Sequence, residues 1–175
     1  MDVEEIRDSL LMLEGKIDLT MGGTLQKDSA KEKSTMSYSR LGLNPDESYR
    51  RTVYLPIRRS NVPAMFTLFD FGDAATSSDG RSRTNIAPQA LFSINSEFVT
   101  RAAGGWAGRL LASVTDDKAR VRQAWLEALG REPSDADIRE AMRYLDAFPG
   151  DADPQRKWRS YCRALLASNL FVYIP

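Results

Sequence analysis

The sequence predicts a mainly α-helical domain of about five to six helices with a small two-stranded β element, residues 51–57 paired with 171–174. Three observations lead there. Apolar residues recur at steps of three and four along most of the chain, the period of one helix face. Helix-opening residues stand in front of several of these runs. Two short β-branched and aromatic runs, RTVYLPI at 51–57 and FVYI at 171–174, have the composition of strands.

The elements follow in order. Val3, Ile6, Leu10, Leu13 and Ile17 lie on one face of a first helix. Asp2, Glu4 and Glu5 suit the positive end of its dipole, and Gly22-Gly23 closes the region. Residues 1–23 therefore form an N-terminal helix and turn. Residues 24–50 are a polar stretch with almost nothing to bury, expected to be a mobile linker to the helical domain of 51–175. In RTVYLPI, Pro56 lacks the amide donor a ladder needs and points to an edge or a strand end. Pro63 fits the first turn of a short helix carrying Met65, Phe66, Leu68 and Phe69.

The longest helical pattern runs from Ala87 to about Leu111, with Leu91, Ile94, Phe98, Ala102, Trp106 and Leu110 in one stripe. Gly104, Gly105 and Gly108 interrupt it, and each costs ~1 kcal/mol against alanine in a helix interior. Such a trio implies either a break near Gly104 or close approach of a neighbouring backbone. Val121, Trp125 and Leu129 mark the next helix, closed by Gly130. Ser134-Asp135-Ala136-Asp137 is a capping box with Asp for the usual Glu, opening a helix with Ile138, Met142, Leu145 and Phe148. Asp153-Pro154 caps the last, which carries Trp158, Cys162 and Leu165.

Composition excludes several functions. The 175 residues hold 24 basic and 24 acidic side chains and no histidine. No Ser-His-Asp or Cys-His pair, histidine-ligated metal site or imidazole pH switch can form within this chain. The neutral balance argues against nucleic acid, which needs a basic surplus. One cysteine, Cys162, allows neither an internal disulfide nor a thiolate metal cluster, and on an apolar helix face it reads as a buried structural thiol. No run approaches the ~20 apolar residues of a membrane span, and no signal peptide opens the sequence. A free-standing chain would on this reading be cytoplasmic.

The segment 70–89 is the candidate ligand-binding region. Asp70, Asp73 and Asp79 offer hard oxygen donors, and Arg81 and Arg83 offer forks for a carboxylate, sulfate or phosphate. Asn85 and Gln89 follow near a helix start. The spacing is not that of an EF-hand, and no metal is expected. The plainer alternative is that these acids cap turns, the arginines pair with them, and Gln89 and Asn95 satisfy neighbouring backbone groups. Glu97 with one of the loop acids could form a glycosidase-like pair, which sequence spacing alone does not show. Catalytic residues are not assigned.

Longer stretches carry a family likeness. IRDSLLMLEGKIDLTMGG, RRTVYLPIRRSNVPAMFTLFDFGD, SSDGRSRTNIAPQALFSINSEFV, ALGREPSDAD and WRSYCRALLASNLFVYIP occur in this order. Together they resemble the C-terminal part of a planctomycete-associated family, domain of unknown function 1553. The resemblance implies the end of a large exported protein, extracytoplasmic or periplasmic, whose upstream domains would be the partners. A planctomycete-type cytochrome c domain would hold haem c upstream. This chain has no CxxCH and is expected to hold no cofactor of its own. The family's setting implies polysaccharide metabolism, an associative inference only. Where the family commonly ends SNEFLYVD, this chain reads SNLFVYIP, with Leu170 in place of an acid and Pro175 last. Two functional expectations result: a non-catalytic packing and interaction module of the parent protein, or part of a carbohydrate- or anion-binding enzyme cleft around 70–89.

Overall fold

The computed structural model describes residues 1–22, 48–55, 57, 62–72, 87–149 and 153–173. Among them are eight helices: α1 (Val3–Glu14), α2 (Ala64–Leu68), α3 (Ala87–Asn95), α4 (Glu97–Ser113), α5 (Asp117–Leu129), α6 (Asp135–Asp146), α7 (Pro154–Leu166) and α8 (Asn169–Val172). α4 is the central element, with α7 and α1 making its most extensive contacts.

α1 forms as its pattern requires. Val3, Ile6, Leu10 and Leu13 are buried, and Asp2 with Glu5 closes a capping box. The helix ends earlier than Gly22-Gly23, at Gly15, whose φ of 78° is the left-handed region that favours glycine. The Arg109 side chain lies where a Cβ on Gly15 would stand, so space and conformation both exclude a side chain there.

The long pattern from Ala87 is two helices. The break falls at Ser96, which caps α4 by accepting from the Phe98 amide, and not at Gly104. The glycine trio instead serves close approach. A Cβ on Gly105 would sit 2.8 Å from Glu14 Cγ and 3.1 Å from Glu14 O, so α1 crosses α4 against bare backbone. Gly104 and Gly108 face Arg159 and Gln155 of α7, and Gln155 Nε2 donates to Gly104 O at 2.8 Å. Trp106 and Leu110 fill the seam between, each a fully buried side chain contributing about 1.5–3 kcal/mol.

α5 and α6 form a hairpin, with Gly130 ending one helix and the Ser134/Asp137 box opening the other. The Asp153 side chain caps α7 by accepting from the Gln155 amide. Trp106, Trp125 and Trp158 are all core residues.

The expected β element does not form. Thr52–Tyr54 is a 3-10 turn and Asn169–Val172 is helical, with Ile174 outside the described residues. The reason lies in α1. Asp8 Oδ1 accepts from the Thr52 amide at 2.8 Å and from Thr52 Oγ1 at 2.6 Å. Arg7, fully buried, donates to Arg50 O at 2.9 Å and to Ser48 O. Asp8 thus takes the Thr52 amide that a ladder over 51–57 would use, and Arg7 pins the backbone just before it. The chain end returns to α1 instead: the Met1 nitrogen donates to Val172 O at 2.9 Å, and Phe171 is buried. One isolated parallel bridge, Asp18 with Arg50, is the only β pairing among the described residues. Residues 24–47 of the expected linker lie outside the described residues, whereas Ser48 and Arg50 are held by these bonds.

Candidate functional site

Of the candidate residues from the sequence, Asp70 and Gln89 are described; Asp73, Asp79, Arg81, Arg83 and Asn85 lie outside the described residues. Asp70 follows α2 with φ 55°, a left-handed conformation that aspartate tolerates better than most residues. Gln89 is buried, and its Nε2 donates to Leu68 O at 3.0 Å. Its side chain thus ties α3 to the end of α2, near Asp70 in sequence. That is the backbone-satisfying role. Asn95, expected to do the same, is exposed; Ser93 is the other buried polar residue of α3, donating through Oγ to Gln89 O at 3.1 Å. Glu97 is exposed in the first turn of α4.

α3 has a polarity the sequence stripe did not show. Its buried residues are Gln89 and Ser93, while Leu91 and Ile94 are 56% and 51% exposed. The stripe runs through both halves of the sequence pattern, but α3 turns its part of it outward.

The buried charged side chains are committed to packing. Arg7 holds the 48–52 backbone as described. Glu14 lies at the α1–α4 crossing, 3.3 Å from Arg101 Nε and 3.0 Å from Lys16 Nζ. Its carboxylate, through hydrogen bond and charge, holds the Lys16 ammonium above the usual lysine range. Arg120 donates to Val114 O and Thr115 O, pairs with Asp117, and lies 5.2 Å from the centre of the Trp158 ring. Glu127 accepts from Trp106 Nε1 and from Gln123 Nε2, both at 2.8 Å. Burial pushes the Cys162 thiol far up, which suppresses the thiolate a nucleophile needs.

Concavities among the described residues include the following three. A cleft of about 670 Å³ beside α1 has Asp2, Glu4, Glu5 and Asp8 on one wall and Phe66 and Phe71 on the other. Its Glu5 and Asp8 carboxylates already accept from the Asp2 and Thr52 amides. A groove of about 690 Å³ between α5 and α6 alternates Lys118, Arg122, Arg139 and Arg143 with Asp135 and Asp146. A shallow pocket of about 200 Å³ lies between α5, α6 and α7 beside Trp125, Tyr144 and Tyr161. The sequence places Trp125 on a helix face with Val121 and Leu129, and nothing in its spacing singles out Tyr144, Tyr161 or Glu140. The detectable pattern is Asp137, Glu140, Ala141 and Tyr144 at 0, 3, 4, 7 spacing on α6, facing Tyr161, Ala164 and Leu165 at 0, 3, 4 spacing on α7. No group of three or more potential metal-ligating side chains occurs among the described residues. No helix among them is long and apolar enough to cross a membrane.

The fold and these surfaces define a helical module whose buried ionisable groups hold its own elements together. The chain belongs to the family described as PSD1, protein of unknown function (DUF1553), which it matches over residues 1–145. The matched span takes in α1 to α5 and nearly all of α6; the likeness noted at 158–175 lies beyond it. No curated protein and no solved structure matches the chain.

Proposed function

We propose that this chain is a packing and interaction module, the C-terminal part of a larger exported, haem-associated protein of planctomycete type acting in polysaccharide metabolism. The observation that carries the module reading is α3, which buries Gln89 and Ser93 and exposes Leu91 and Ile94. An apolar helix face turned outward is what a docking surface requires. The buried Arg7, Glu14 and Arg120, each bonded to the chain's own elements, agree with a structural task. The exported, haem-bearing and polysaccharide-linked setting rests on the family likeness. In this reading the upstream domains of the parent cover α3, and haem c belongs to them. The rival reading, a carbohydrate- or anion-binding cleft at 70–89, loses one of its ligands, because the Gln89 amide is engaged by Leu68 O.

The test extends the coding sequence upstream and expresses that segment separately. An in-frame CxxCH domain, and stoichiometric association of the upstream segment with this chain, are the expected results. An uninterrupted upstream frame without such a domain contradicts the haem setting, and absence of association contradicts the module reading.

A further inference from the structure

The groove between α5 and α6 holds cations that the module reading does not use. Lys118 and Arg122 stand one turn apart on α5, and Arg139 and Arg143 stand one turn apart on α6, all four exposed. Like charges at this spacing repel, so neither pair stabilises its own helix. They are not neutralised from within. Among the described residues the side chains of Lys118, Arg139 and Arg143 make no ion pair, and Arg122 reaches only Glu132, at 3.9 Å with both partners at least half exposed. The acids of the groove, Asp135 and Asp146, are the first and last residues of α6, so Arg139 and Arg143 hold its middle with no carboxylate of the lining between them. Asp135 also lies in the first turn, where the helix dipole favours a carboxylate. The apolar part of the lining is Ile138, which is buried, and Met142, which is half-buried.

We propose that this groove receives an acidic segment of a partner protein, with its carboxylates on Arg122, Arg139 and Arg143 and an apolar side chain against Ile138 and Met142. Charge complementarity selects the occupant: unpaired cations await carboxylates, and a guanidinium fork matches a carboxylate in two-pronged fashion. A peptide also brings apolar side chains, to which methionine adapts its shape. A nucleic-acid strand fits less well, because Asp135 and Asp146 would meet its phosphates at both ends of α6. The inference goes beyond the proposed function and is independent of the α3 surface and of the haem setting, since binding is read on this chain alone.

The test titrates the 175-residue chain with the acetylated, amidated peptide Glu-Leu-Glu-Glu-Leu-Glu at low ionic strength, where exposed charges are least screened, and follows the backbone amides by NMR. Saturable shifts confined to α5 and α6 are expected. Arg139→Gln/Arg143→Gln should weaken binding at least about tenfold, as should replacing the peptide's glutamates by glutamine. Arg156→Gln/Arg163→Gln, equally exposed but on α7, should bind as the parent chain does. Arg139→Gln/Arg143→Gln should melt no lower than the parent, because a repulsive pair is removed. Equal binding of the glutamine peptide, equal binding by Arg139→Gln/Arg143→Gln, or no saturable shift overturns the proposal. A melting temperature lower by more than about 3 °C for that variant overturns it too, because the arginines would then be committed to the fold. Inorganic phosphate or an oligothymidylate of equal charge binding the same amides as tightly overturns the acidic-peptide assignment.

Discussion

α7 and α3 both pack on α4, and they do so with opposite polarity. α7 buries Trp158, Tyr161, Cys162, Leu165 and Leu166 and exposes Arg156 and Arg163. α3 buries Gln89 and Ser93 and exposes Leu91 and Ile94. The first is an interface completed within the chain; the second leaves apolar area in water, which costs about 25 cal/mol per Å² until something covers it. The difference separates a helix that builds the domain from the helix that the proposed function takes as its docking face.

The largest effect that would break this comparison is in α7. Trp158→Ala should cost about 3–5 kcal/mol by urea unfolding, because the ring is 1% exposed and packs edge-on against Tyr161. A cost under about 1 kcal/mol would show that α7 is no better seated than α3. Next comes pH. Burial pushes the Tyr161 hydroxyl up to about 12, above the usual 10.0, against the opposing hydrogen bond from Trp125. The unfolded chain therefore loses this proton first. The contribution is complete below pH ~10 and is lost as pH rises through about 12, on the order of 2 kcal/mol. Tyr161→Phe should flatten this part of the stability profile.

Gly105→Ala sharpens the account of α4, on which both helices depend. Its Cβ would meet Glu14 Cγ at 2.8 Å, and the expected loss is about 1–3 kcal/mol in thermal melting. Gly108→Ala, whose Cβ would lie 3.7 Å from Gln155 Nε2, should be neutral or stabilising. Gln89→Ala removes the bond to Leu68 O and should cost about 1 kcal/mol, with faster amide exchange at the α2–α3 junction.

How much of this was legible follows from the residues. The apolar faces of α1, α5, α6 and α7 and the caps at Ser134 and Asp153 were visible because each is a local pattern. The orientation of α3 was not. Leu91 and Ile94 share a spacing with Phe98 and Trp106, and spacing reports which residues share a face without reporting which face turns inward. That was decided by Gln89, reaching 21 positions back to Leu68 O. RTVYLPI has strand composition, yet Asp8, more than 40 positions away, takes its Thr52 amide, and Arg7 holds the Ser48 and Arg50 carbonyls just before it. Of FVYI, Phe171 and Val172 lie in the helical turn Asn169–Val172 as Phe171 enters the core. Of the candidate site, Gln89 was found with its structural role, and the pocket around Tyr144 was missed because each of its residues has an ordinary helical explanation.

The smallest expected change in stability is the most informative measurement. The double variant Leu91→Gln/Ile94→Gln should melt within about 2 °C of the parent chain, as exposed substitutions do. Its association with the upstream segment, measured in the same preparation, should weaken at least about tenfold if α3 is the docking face. Undiminished association, or a loss of stability comparable to that of Trp158→Ala, would contradict the account.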